Sequence, residues 1–177
     1  MRFLVYVSIS FSLSLPLAHA APDSDAPGSD KVSIEFIQPE KFTDARYENR
    51  YRSHTRVTRD LAEYIYTLGD DYLPEGYHLA IQVLDIDLAG RYEPWRMHGA
   101  DVRYIRDITW PRINLTFALR DSNGELVSQG EESVVDMNYL NGIQHHRQSD
   151  RLRYEKAMLD DWFHDHFKNL EPQQGKQ

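Results

Sequence analysis

Polar and apolar residues first fall into a clear order at residues 31–37. Val32, Ile34 and Phe36 point one way, and Ser33 and Glu35 the other. A period of two predicts a half-buried strand, ended near Pro39. Over residues 50–68 the period lengthens. Val57, Leu61, Tyr64, Ile65 and Leu68 form one continuous stripe at helical spacing. Gly69 is the expected stop, followed by a turn at Pro74 and Gly76. Residues 78–88 read as a second strand, apolar on both faces in its first half, which predicts a central position covered on both sides. Residues 91–101 show no period and read as a long loop, and residues 102–108 hold a short strand.

The clearest strand comes next. Ile113, Leu115, Phe117 and Leu119 alternate with Asn114, Thr116, Ala118 and Arg120. Asp121, Ser122, Asn123 and Gly124 predict a hairpin turn, because Asn and Gly tolerate the positive φ of tight turns. The returning strand spans residues 125–135, with a bulge expected at Gly130. A loop over 136–149 leads to a last helix, capped by Ser149 or Asp150 and running to about Phe167. Its stripe is Leu152, Glu155, Leu159, Trp162 and Phe163, with Phe167 one turn on.

The order is strand, helix, strand, loop, hairpin, helix. The first helix can carry the chain between two parallel strands, and the hairpin extends the sheet antiparallel. The expected fold class is α+β, a mixed four- to five-stranded sheet with two helices packed on one face. Residues 31–170 form the single domain. Residues 21–30 (APDSDAPGSD) have nothing large to bury and read as a flexible tether. Residues 171–177 read as a similar tail.

Residues 1–20 change the picture of where the protein works. Arg2 is followed by an apolar run to Leu17, relieved by four Ser, and then by Ala18-His19-Ala20. This is the pattern of a signal peptide cut after Ala20. The run is too short to serve as a membrane span. The expectation is export, to the periplasm or beyond, with no stable membrane insertion after cleavage. Without Cys the chain has no disulfide, no thiol nucleophile and no lipid-bearing Cys. The net charge is −8 and becomes −9 when Arg2 leaves with the leader. An acidic surface argues against nucleic acid as a partner. The run Arg46, Arg50, Arg52, Arg56 and Arg59 reads as a solvated helix face.

Candidate chemistry is sparse. In Leu84-Asp85-Ile86-Asp87-Leu88, alternation sends both carboxylates to one face, roughly 7 Å apart. They lie at the C-terminal end of a strand, where α/β sheets often place ligands. With Asp136 they form a candidate oxygen-donor set for a hard cation. The alternative is that they bind backbone N–H groups of nearby loops. Trp95 and Arg96, with Trp110 and Arg112, supply the side chains most used at binding hot spots. A loop holding Trp95 could wall a groove; alternatively both Trp close the ends of the sheet. His145, His146, His164 and His166 are the candidate imidazole donors. Glu75 and His78 share the spacing of a di-iron motif but sit on a turn, in a single copy. Signatures such as G-x-S-x-G, H-E-x-x-H, the P-loop and G-x-G-x-x-G are absent from the sequence.

Five segments together resemble one bacterial family: VSIEFIQPEKFTDA (32–45), VLDIDLAGRYEPW (83–95), WPRINLTFAL (110–119), DMNYL (136–140) and LRYEKAMLDDWF (152–163). They are similar to the secreted bacterial domain-of-unknown-function family 3016. The resemblance implies an exported single-domain protein and carries no activity, substrate or cofactor with it.

The residues therefore lead to an exported, non-enzymatic module that binds an envelope protein or a small ligand, with no cofactor. Its candidate binding residues are Asp85, Asp87, Trp95, Arg96 and Asp136. Two other readings stand beside it: a carboxylate-based, metal-assisted hydrolase acting on an envelope polymer, and a structural or stress-related periplasmic protein.

Overall fold

The computed structural model describes residues 29–46, 54–93, 95–96, 102–141 and 149–171. The expected signal peptide, most of the tether, Arg50, Arg52, Asp101, His145, His146 and most of the tail lie outside the described residues.

The elements run β1 (Val32–Phe36), α1 (His54–Tyr72), β2 (His78–Asp87), β3 (Arg91–Tyr92), β4 (Arg103–Tyr104), β5 (Arg112–Arg120), β6 (Leu126–Val135) and α2 (Arg153–Phe167). The main sheet has the order β1-β2-β5-β6. β1 pairs parallel with β2, from Val32 opposite Leu79 to Phe36 opposite Val83. β2 with β5 and β5 with β6 are antiparallel. The architecture is α+β, with a mixed four-stranded sheet. β3 and β4 form a separate two-stranded ribbon, so they do not supply a fifth strand.

Both helices cover the same face. Val57, Leu61, Ile65 and Leu68 of α1 and Met158, Leu159, Trp162, Phe163 and Phe167 of α2 share one core with Leu79, Ile81, Val83, Ile113, Leu115, Phe117 and Leu119 of the sheet. Each fully buried Leu, Ile or Phe stabilises the fold by roughly 1.5–3 kcal/mol. Phe117 sits at the centre of an aromatic group, edge-on to Trp162 at 5.5 Å and to Phe167 at 6.4 Å. The other face carries Gln82, Asp85, Asp87, Arg112, Asn114, Thr116 and Arg120, none of them buried. β2 is thus central in the sheet but, among the described residues, covered on one side only. The two-sided apolar look of its first half comes from the small Ala80 on the open side; further on, Leu84 is an extra residue where the register shifts between Val83 and Asp85. That shift lets Ile86 return to the core face.

Two glycines do other work than their sequence contexts suggest. Gly69 lies inside α1, which continues to Tyr72. A Cβ there would come 2.1 Å from Val32 Cγ2, so glycine lets α1 press against β1. Gly130 is in register opposite Phe117, and a Cβ would meet the Phe117 ring at 3.0 Å. The irregularity in the hairpin falls instead between Leu119 and Arg120, opposite Leu126 and Ser128. The predicted turn is present. Asp121 Oδ1 accepts N–H groups of Asn123 and Glu125, both at 2.9 Å, and Gly124 takes φ +79°. Asp150 also acts near its predicted place, accepting the N–H of Leu152 at 2.9 Å just before α2. Among the described residues no helix is long and apolar enough to cross a membrane.

Candidate functional site

The C-terminal end of β2 is where loops converge. After β1 the chain makes a 3-10 turn at Pro39–Lys41 and rejoins β2 through a bridge between Asp44 and Asp87. Thr43 falls in the gap. Its N–H donates to Asp85 Oδ1 at 2.7 Å and its hydroxyl to Asp85 Oδ2 at 2.8 Å. Asp85 therefore satisfies a backbone donor that the interrupted ladder leaves over. Asp87 lies on the same face, as alternation predicts, and pairs with Arg112 Nη2 at 3.1 Å. Burial raises its pKa above the usual carboxylate value, against the pull of Arg112 and Arg91, while Asp44 and Asp85 push it further up.

Arg103 ties this region together. One terminal nitrogen donates to the carbonyls of Ala89 at 3.1 Å and Gly90 at 2.9 Å, with Leu88 at 3.4 Å. The other meets Asp44 at 2.8 Å and the Arg46 carbonyl at 3.1 Å. Its planar fork suits this set of acceptors.

Behind the same turn lies Glu155 of α2, 1% exposed. Its Oε1 accepts the Ala89 N–H at 2.7 Å, while Oε2 is buried without a donor. Ala89, Tyr139 and Tyr154 form a small core around it, with Ile105 and Trp110 against them. Burial pushes the Glu155 carboxyl up to about 7, opposed by the N–H groups of Ala89 and Glu155 and by Arg103 and Arg153. The sequence signal for this residue is plain in retrospect: a carboxylate occupies the apolar stripe of α2.

The remaining predicted residues are distributed as follows. Asp136 caps its own turn, accepting the Asn138 N–H at 2.8 Å, and lies near enough to Asp161 of α2 to raise that carboxyl after burial and Asp160. It follows Val135, which pairs with Arg112, so it is one position out of phase with the face of Asp85 and Asp87. Trp95 is 79% exposed and closes no end of the sheet. Arg96 stacks over the Tyr104 ring at 5.1 Å and forms an ion pair with the buried Glu93, which Arg106 also holds at 2.6 Å. His166 stands 3.0 Å from Glu132, which accepts the Trp162 indole N–H at 2.7 Å; this group belongs to the packing of α2 on β6. Among the described residues no group of three His, Asp or Glu could hold a metal ion.

What opens at the sheet end is a small cleft of about 100 Å³, lined by Asp87, Leu88, Gly90, Arg91, Ile108, Thr109, Trp110 and Arg112. Three of its walls were invisible to strand periodicity, because Arg91 comes from the two-residue β3 and Thr109 and Trp110 from the irregular chain between β4 and β5.

Comparison with known families matches residues 30–165 to the protein of unknown function DUF3016. The chain belongs to the DUF3016 family. The match covers β1 through most of α2, and the residues of the sheet, the ribbon and the cleft fall within it. No curated protein and no solved structure matches the chain.

Proposed function

We propose that this DUF3016 chain is an exported, non-enzymatic module that binds an envelope component, a protein or a small ligand, at the C-terminal end of β2. The observation that carries the reading is the cleft beside Asp87 and Arg112, with Trp95 exposed on the loop after β3. A polar cleft at a sheet end and a large aromatic left exposed are both surface features that recognition sites use. Export is supported by the leader pattern at residues 1–20.

Binding fits the pairing of the carboxylates better than hydrolysis does. Asp85 is held by Thr43, Asp87 by Arg112, and Glu93 by Arg96 and Arg106. A general base needs a carboxylate within reach of substrate or water, and these are committed to the fold. Cross-linking in intact cells followed by mass spectrometry of captured partners is the test. Trp95→Ala should weaken capture while leaving the unfolding curve within about 0.5 kcal/mol, since the side chain is exposed. Equal capture by the variant removes Trp95 from the site. Turnover of an envelope polymer without any captured partner overturns the proposal.

A further inference from the structure

We infer that the cleft at the end of β2 seats an anionic group of a ligand, a carboxylate or a phosphate, held by Arg91 and Arg112 with the Trp110 indole as third donor. This deepens the binding function proposed above and rests on it. The argument is a count of donors and charges among the lining residues. Asp87 is the only carboxylate there, and Arg112 already pairs with it. The Arg91 backbone pairs with Tyr104 in the ribbon, but its guanidinium makes no hydrogen bond or ion pair among the described residues, so the lining carries one guanidinium charge more than it carries carboxylate. The Trp110 indole N–H likewise donates to nothing among the described residues. The Thr109 hydroxyl donates its proton to the Arg106 carbonyl at 3.0 Å and accepts the Arg106 N–H at 3.3 Å, so it offers the cleft no donor.

A pocket with donors to spare, a surplus positive charge and little free acceptor capacity selects an acceptor-rich anion. Guanidinium groups match carboxylate and phosphate oxygens in pairs, and such charge-assisted bonds are roughly twice as strong as neutral ones. A volume of about 100 Å³ holds such a group and little more, so the rest of the ligand lies outside, toward solvent.

The test is a nuclear magnetic resonance titration of the purified protein with acetate and with inorganic phosphate, at constant ionic strength set by chloride. The Trp110 indole N–H signal, assigned through Trp110→Phe, is the reporter. The expected result is a saturable shift with at least one anion. Saturation by phosphate alone assigns a phosphate group, by acetate alone a carboxylate. Arg91→Gln, at an exposed position, should weaken that binding by about tenfold or more, while Arg120→Gln at the far end of β5 leaves it unchanged. No saturation with either anion, or equal affinity in Arg91→Gln, overturns the inference. Loss of anion binding with partner capture intact would overturn this inference and leave the proposed binding function standing.

Discussion

Glu155 makes a quantitative prediction about stability and pH. Its carboxyl is fully buried, holds the Ala89 N–H through Oε1 and leaves Oε2 without a donor. Burial lifts its pKa from 4.5 in the unfolded chain to about 7 in the fold. The native state then binds the proton more tightly than the unfolded state does. Its contribution to stability is fully present below about pH 4.5 and is lost as pH rises toward about 7. At roughly 1.4 kcal/mol per pKa unit, the whole loss is about 3 kcal/mol. Glu155→Gln keeps an oxygen for the Ala89 N–H and removes the titration. Urea melts of the two proteins across this range give the check. The stability of the parent minus that of the variant should fall by about 3 kcal/mol from the acid to the neutral end. Asp87, whose pKa is also raised, titrates in both proteins and cancels in the difference. Parallel stability profiles would falsify the idea that a strained, proton-hungry carboxyl sits behind the cleft.

Two more substitutions test how the fold holds the site. Gly69→Ala should destabilise by about 1–3 kcal/mol despite the better helix propensity of alanine, because the new methyl overlaps Val32; Val32→Ala in the same chain should recover part of the loss, and purely additive urea melts would refute the contact. Arg103→Ala should cost about 2–4 kcal/mol by unpairing Asp44 and freeing the carbonyls of Ala89 and Gly90. Arg103→Lys should rescue little of it, and hydrogen exchange at Gly90 should accelerate in both.

Local alternation made the sheet readable. β5 keeps its apolar residues on the covered side without interruption, and β1 and β2 do so up to Leu84. Of the β3–β4 ribbon the sequence anticipates only β4, as the short strand within residues 102–108; β3 reads as loop, because two residues carry no period. Glycine misled twice for one reason. It marks a chain reversal or a tight contact equally well, and only the partner decides: Val32 lies 37 positions before Gly69, and Phe117 sits across the hairpin from Gly130. At the site, alternation correctly put Asp85 and Asp87 side by side. Their partners Thr43 and Arg112 are set by tertiary pairing, which no spacing along the chain encodes. Glu155 could have been found, since a charge inside an apolar stripe demands a buried partner.

The uncovered side of the sheet has a consequence of its own. Gln82 is exposed and Thr116 and Asn114 are half-buried, and no second layer of described residues presses on them. Side chains there can be exchanged for others of different size or sign while the packed side stays as it is. The molecule thus presents a blank tablet backed by a rigid board: its chemical character on that side can be rewritten almost independently of its architecture.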